Sequence, residues 1–190
     1  MAYDITNTIL DTLIAELPSR VNEGLLTTDP EYLETIERGP LQDDPTVRAS
    51  FLVVYPDRDR GFRQPVVAVR EDDYLVRANL PRYEVGGGYL FVNYFVLEGW
   101  TPLSDTREND YLIAGKFLRR VETALLRLAR DGAFLDITTD DEQETTAGLS
   151  QAFALSESSF RYIGGENEWY AKVVLRFHVY SQVKPTYYRS

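Results

Sequence analysis

The apolar positions of the chain change period more than once, and each change marks an element. Between Asp4 and Pro18 they recur every four residues, at Ile5, Ile9, Leu13 and Leu17, with Leu10 and Ile14 widening the stripe. This spacing predicts a helix with one buried face, capped by Asp4 and stopped by Pro18. The segment DPEYLETIERGP (29–40) reads as a short connector helix, because Asp29 can cap it, Pro30 suits a first helical position and Gly39-Pro40 ends it.

From Thr46 the pattern becomes that of strands. VRASFLVVY (47–55) and PVVAVR (65–70) flank a charged Pro/Gly loop. The simplest reading is a hairpin whose tip carries Arg58, Arg60, Phe62 and Arg63. EDDYLVRANLP adds an edge strand ending at Pro81, and Gly86 to Gly88 make a turn. Then comes YLFVNYFVLEGW, where only Asn93 and Glu98 are unambiguously polar between Tyr89 and Glu98. Such a run is too short for a membrane span, which needs roughly 20 apolar residues, so it predicts a central strand covered on both faces. Its outer row holds either Phe91 and Phe95 or Tyr94, depending on the pleat. A neighbouring subunit or the segment 136–163 folding back would cover that row.

The longest helix is predicted over Tyr111–Arg130, capped by Asp110 and closed by Asp131 and Gly132. DITTDDEQETTAGLS (136–150) reads as an acidic loop insertion. FALSESSFRYIGG and EWYAKVVLRFHVYSQV follow as two strands around the turn GGENE. The second alternates cleanly, with Trp169, Ala171, Val173, Leu175, Phe177 and Val179 on one face, and Tyr170, Lys172, Arg176, His178 and Tyr180 mainly on the other. Residues 183–190 read as a C-terminal arm. The fold class that emerges is α+β in one domain, 1–190: a mostly antiparallel β-sheet packed on one side by an N-terminal and a central helix, plus the short connector helix.

Charge narrows the function. With 20 basic and 30 acidic residues the net charge is −10, which argues against wrapping nucleic acid or binding an anionic membrane surface. The absence of cysteine excludes disulfide scaffolds, zinc ribbons and thiol nucleophiles. The start lacks a basic n-region, which reads as a cytosolic chain. Thirteen tyrosines, each with an apolar face and a polar tip, favour an interaction surface.

No motif carries catalysis. His178, the one histidine of the sequence, has neither a G-x-S-x-G nor an H-E-x-x-H context and reads as an ordinary strand residue. Gly86 to Gly88 match no phosphate-binding spacing. Asp140, Asp141, Glu142 and Glu144 lack the spacing of a calcium loop, so a solvated acidic loop is favoured, with no metal and no cofactor expected. The arginines of the 58–63 loop could meet nucleic acid, yet Asp57 and Asp59 interleave, which favours a protruding tip.

The long helix is more informative. At about 100° per residue, Ala114, Phe117, Leu118, Val121, Ala124, Leu125 and Leu128 share one sector, and Lys116, Arg119, Arg120, Arg127 and Arg130 lie roughly opposite. The second sector is either a solvated face, with cations favoured near the C-terminal end, or a basic strip that docks on acidic surface from another copy or a partner, such as 140–144 or Glu71, Asp72 and Asp73. Leu112 and Leu126 interrupt it with apolar contact.

The order of these elements, from the N-terminal amphipathic helix through the charged hairpin, YLFVNYFVLEGW, RENDYLIAGKFLRRVETALLRLARDG and WYAKVVLRFHVYSQV, resembles the tail-terminator and tail-completion (neck) proteins of tailed bacteriophages over residues 4–20 and 46–182. The 29–38 helix and the 136–150 insertion depart from that pattern. The resemblance implies a structural virion protein, not an enzyme. It would assemble in the host cytoplasm into a ring, commonly a hexamer, that caps the tail tube and joins it to the head connector around an open DNA channel. Its partners would be other copies, the tail tube protein and the head connector, and DNA would pass without sequence-specific binding. The alternatives are a connector or stopper, a tube subunit, a hydrolase working through carboxylates, and a monomeric adaptor.

Overall fold

The computed structural model describes residues 5–41, 46–65, 89–103, 107–147, 152–164 and 169–183. In chain order the elements are α1 (Ile5–Val21), β1 (Leu33–Arg38), β2 (Ser50–Pro56), β3 (Arg63–Pro65), β4 (Tyr89–Pro102), α2 (Arg107–Arg130), β5 (Glu144–Thr145), β6 (Phe153–Gly164) and β7 (Trp169–Val183). The apolar strand is central, as expected. β4 pairs antiparallel with β7 along its whole length, from Tyr89 opposite Val183 to Pro102 opposite Tyr170. Its other edge carries β2 and, further along, β3, both antiparallel. β1 lies outside β2 and is parallel to it, while β6 and β5 share the far edge of β7. The result is a mixed α/β fold, a curled sheet with two helices.

The pleat decides the core. On one face Leu52, Val54, Phe95, Leu97, Val173, Leu175 and Phe177 meet Ile9, Leu13 and Leu17 of α1 and Phe117, Val121, Leu125 and Leu128 of α2. Each such side chain contributes roughly 1.5–3 kcal/mol by leaving water. Phe95 belongs to this inner row and stacks on Phe177 at 5.3 Å, which puts Tyr94 on the outer face. Gly99 sits where sheet and α2 come closest. A Cβ there would lie 2.5 Å from Val173 Cγ2 and 2.8 Å from Phe117 Cε1, so no larger residue fits.

Several expectations are corrected. α1 runs through Pro18 to Val21. Pro18 costs the helix one bond, but Asn22 N still reaches Pro18 O at 3.0 Å, and the burial of Leu17 and Val21 holds the last turn in place. The connector helix is absent: 29–32 is a turn and Leu33–Arg38 is a strand. Asn22, brought there by α1, clasps Leu33 at both backbone groups, its Oδ1 accepting from Leu33 N and its Nδ2 donating to Leu33 O, each at 2.8 Å. Pro30 O accepts from Ser50 Oγ at 2.6 Å, so the segment is tied to the sheet at its start as well. Six residues with β-branched Thr35 and Ile36 gain more from edge pairing than from one and a half helical turns.

The expected hairpin of 47–55 with 65–70 does not form, because β2 has β1 on one side and β4 on the other. Instead β2 and β3 follow one another along a single edge of β4. Asp57 N donates to Tyr94 O, Tyr94 N donates to Phe62 O, each at 2.8 Å, and residues 58–61 bulge out between. Left-handed φ angles at Gly61 (78°) and Phe62 (59°) close this bulge.

α2 begins at Arg107, earlier than Asp110, which is buried inside its first turn. Its end is as expected. Gly132 (φ 86°) lets Ala133 N reach Leu128 O and Gly132 N reach Ala129 O, a Schellman closure. The described part of the acidic loop is a tight hairpin, Thr139 N to Glu144 O and Thr146 N to Ile137 O, with β5 joined to the end of β7. β6 lies beside β7 in the sheet, so 153–163 extends the sheet instead of folding across its outer face. The expected strands at 66–70 and 71–81, the 86–88 turn and the arm beyond Val183 lie outside the described residues. Among the described residues no helix is long and apolar enough to cross a membrane.

Candidate functional site

The outward face of α2 carries the basic stripe, and most of it is already engaged within the chain. Arg127 pairs with Glu23 at 2.8 Å, Lys116 stands 3.8 Å from Glu31, and Arg130 meets Asp131 at 3.4 Å. Arg120 donates to the carbonyls of Glu23 (3.1 Å) and Val21 (3.4 Å), which stitches α2 to the end of α1. Arg20 of α1 also bonds Asp131, whose carboxyl is held below its ordinary pKa by that hydrogen bond. Arg119 makes no ion pair among the described residues. Along the same face Tyr111 is 61% exposed, Leu112 56% and Leu126 44%. Tyr and Arg are residue types enriched at interfaces, and Tyr111 also meets the Phe160 ring edge-on at 6.0 Å.

The expected acidic group divides. Asp140, Asp141 and Glu142 are exposed at the tip of the 137–146 hairpin. Glu144 is buried: it accepts from Ser181 Oγ through Oε1 and from Arg63 Nη1 through Oε2 at 2.8 Å. It therefore belongs to the fold, not to a free surface. Buried Asn93 extends the network by donating to Ser181 Oγ at 2.8 Å. So Arg63, read as a tip residue, and Glu144, read as part of a docking loop, hold one another.

The remaining residues of that loop are also accounted for. Arg60 donates to Ser156 Oγ at 3.0 Å and its guanidinium lies 5.9 Å from the Tyr94 ring. Arg58 and Phe62 are exposed. Asp57, buried, receives Arg176 at 2.6 Å, and Asp59 and Glu157 hold the same guanidinium at 3.4 and 3.2 Å, raising its pKa further. Apart from exposed Arg58, the charged side chains of the loop are held against the sheet by these contacts.

That pinning exposes what periodicity alone missed: an ordered polar and aromatic array on the outer sheet face. Lys172 and Glu98, each 13% exposed, pair at 2.8 Å. Tyr55 Oη donates to the same carboxylate at 2.9 Å, and burial together with Glu98 pushes its pKa well up. Lys172 also sits 4.6 Å over the Trp100 ring, on which Phe51 stacks at 6.2 Å. Nearby, His178 lies between Tyr94 (5.8 Å) and Tyr180 (5.1 Å), its pKa lowered by burial and by Arg60. Burial, with Tyr94 beside it, raises the pKa of Tyr180. Trp100 Nε1 and His178 Nδ1 have no hydrogen-bond partner among the described residues. The signal in the sequence was the polar row Lys172, Arg176 and His178; what it lacked was the register placing Glu98 and Asp57 against them.

Chemically, the array locks its ionic groups into mutual neutralisation, with the Lys172 ammonium held by Glu98. No group of three or more His, Asp or Glu side chains among the described residues could hold a metal ion. Comparison with known proteins finds no matching family model and no matching curated relative.

Proposed function

We propose that this chain is a ring-forming structural protein of a phage tail, a tail terminator that caps the tube, joins it to the head connector and leaves a channel for DNA. One observation carries the reading: the outward face of α2, a rigid 24-residue helix, presents Tyr111, Leu112 and Leu126 in water around Arg119. The exposed carboxylates at 140–142 stand on a separate element, the hairpin whose β5 pairs with the end of β7. Two complementary but unlike patches favour head-to-tail association, which closes into rings when the rotation permits. Two helices on one side of a strand-rich sheet agree with the element order that suggests the family. The net charge of −10 suits a channel past which phosphates slide.

The test is the mass of the assembled particle, by sedimentation and negative-stain imaging, at high protein concentration and with purified tail tubes. Closed rings are expected, seated on tube ends. A chain that stays monomeric in both settings overturns the reading. One observation favours a second reading, a tube subunit: β6, a 12-residue edge strand, pairs only with β7 among the described residues. Polymers of indefinite length from pure protein would decide for it.

A further inference from the structure

The end of α1 and the middle of α2 enclose a groove of about 320 Å3 lined by Arg20, Arg119, Arg120 and Arg127, with Glu23 as its acidic member. The in-chain bonds do not remove its charge, since four arginines meet three carboxylates, Glu16, Glu23 and Asp131, and the last is shared with Arg130. They fix the heads instead. Arg120 is held by two carbonyls, Arg127 by Glu23 and Arg20 by Asp131, so little side-chain entropy remains to be lost when an anion arrives. Arg119 is left to face outward. Leu112 and Leu126 flank it at roughly two helical turns on either side, giving an apolar border.

The hairpin tip is a matching ligand. Asp140, Asp141 and Glu142 are all exposed, and the turn is rigid: Thr139 Oγ1 donates to Asp141 Oδ1 at 2.7 Å, and Glu142 N to Thr139 O at 2.8 Å. Its base is anchored by Glu144 on Arg63 and by β5 on β7. A preorganised anionic tip and a preorganised cationic groove pair with little reorganisation.

We infer that the 140–142 tip of one copy seats in the Arg119 groove of the next, and that this contact, which rests on the ring reading above, sets the head-to-tail register of the ring. The groove's occupant is a second copy of this chain. Because groove and tip are different surfaces, each copy uses both at once, and every subunit of a closed ring is equivalent.

Charge reversal tests it on the full chain. Arg119→Glu alone, and Asp140→Lys with Glu142→Lys, should each raise the concentration for half-assembly at least about tenfold at 0.15 M salt, since like charges then face one another. Combining the three substitutions in one chain should recover part of that loss, through the new pairing at position 119, since Arg20, Arg120 and Arg127 remain in the groove. Circular dichroism and melting of the diluted monomers should be unchanged, because the substituted side chains are exposed. Wild-type rings whose assembly is indifferent to each reversal overturn this contact and leave the ring reading standing. Reversals that block assembly without rescue in the combined chain overturn the pairing of these two surfaces. Short duplex DNA bound through Arg119, with assembly unmoved by its reversal, would make the groove a phosphate site and overturn the inference. A wild type that is monomeric even with tail tubes overturns the ring reading itself.

Discussion

The two faces of β4 are built from alternate residues of one strand, yet they obey different rules. Inward, Phe95 and Leu97 find Phe177 and Leu175 directly opposite and helices above. The fit is tight enough that Gly99 admits no side chain. Outward, Tyr94, Glu98 and Trp100 find His178, Lys172 and Tyr170, and no helix lies over them among the described residues. The inner face gains stability by excluding water from hydrocarbon. The outer face covers itself, through long side chains lying flat and neutralising one another, and keeps polar edges toward solvent. One strand thus serves as core and as surface, and the two should respond differently to substitution.

The largest effect should come from the inner face. Phe95→Ala removes half of a stacked, fully buried pair and leaves a cavity, so we expect a loss of about 3–5 kcal/mol in urea denaturation. A loss below about 1 kcal/mol would show that the core collapses around the gap and that the faces differ less than their burial implies.

An intermediate effect should come from the outer face, and it should be cooperative. Lys172→Met strands Glu98 in a mostly buried setting, whereas Lys172→Met with Glu98→Leu removes both charges. We expect a coupling energy of about 1–2 kcal/mol in the double-mutant cycle. Strictly additive losses would mean that the pair is solvated and the array is not a unit.

The smallest effect should be a slope in pH. Burial holds His178 below its ordinary pKa, so as pH falls the unfolded chain takes up that proton first. Stability should therefore be whole above about pH 6.5 and decline below it, by at most about 1.4 kcal/mol per pH unit. His178→Gln should flatten the curve between pH 6.5 and 5.5, above the range where most carboxylates titrate. A slope that survives the substitution would assign the dependence to other groups.

How much of this was legible varied with the range over which each feature is encoded. The faces of β7 were readable because apolar residues hold every second position from Ala171 to Val179, and the buried sector of α2 because seven positions repeat the helical period. The strand at 33–38 was not, since Pro30 and Gly39 bound both a short helix and a short strand, and the choice was made by Asn22, Ser50 and Thr101 from elsewhere in the chain. Glu144 looked like one acid among four. Its burial depends on Arg63, 81 residues away, and on Ser181. The same holds for the groove: Arg119, Arg120 and Arg127 were visible as a stripe, but Arg20 and Glu23 join them only because α1 packs alongside.

The sequence by itself determined which residues turn inward, because the pleat repeats every two residues and the helix every 3.6, and hydrocarbon must follow those periods to leave water. It also set the charge inventory and the lack of thiol chemistry. Tertiary structure alone decided partners: which charges cancel on the outer face, which acid is buried, and where four arginines converge. Pairing depends on strand register and helix contact between distant segments, and no local period encodes either.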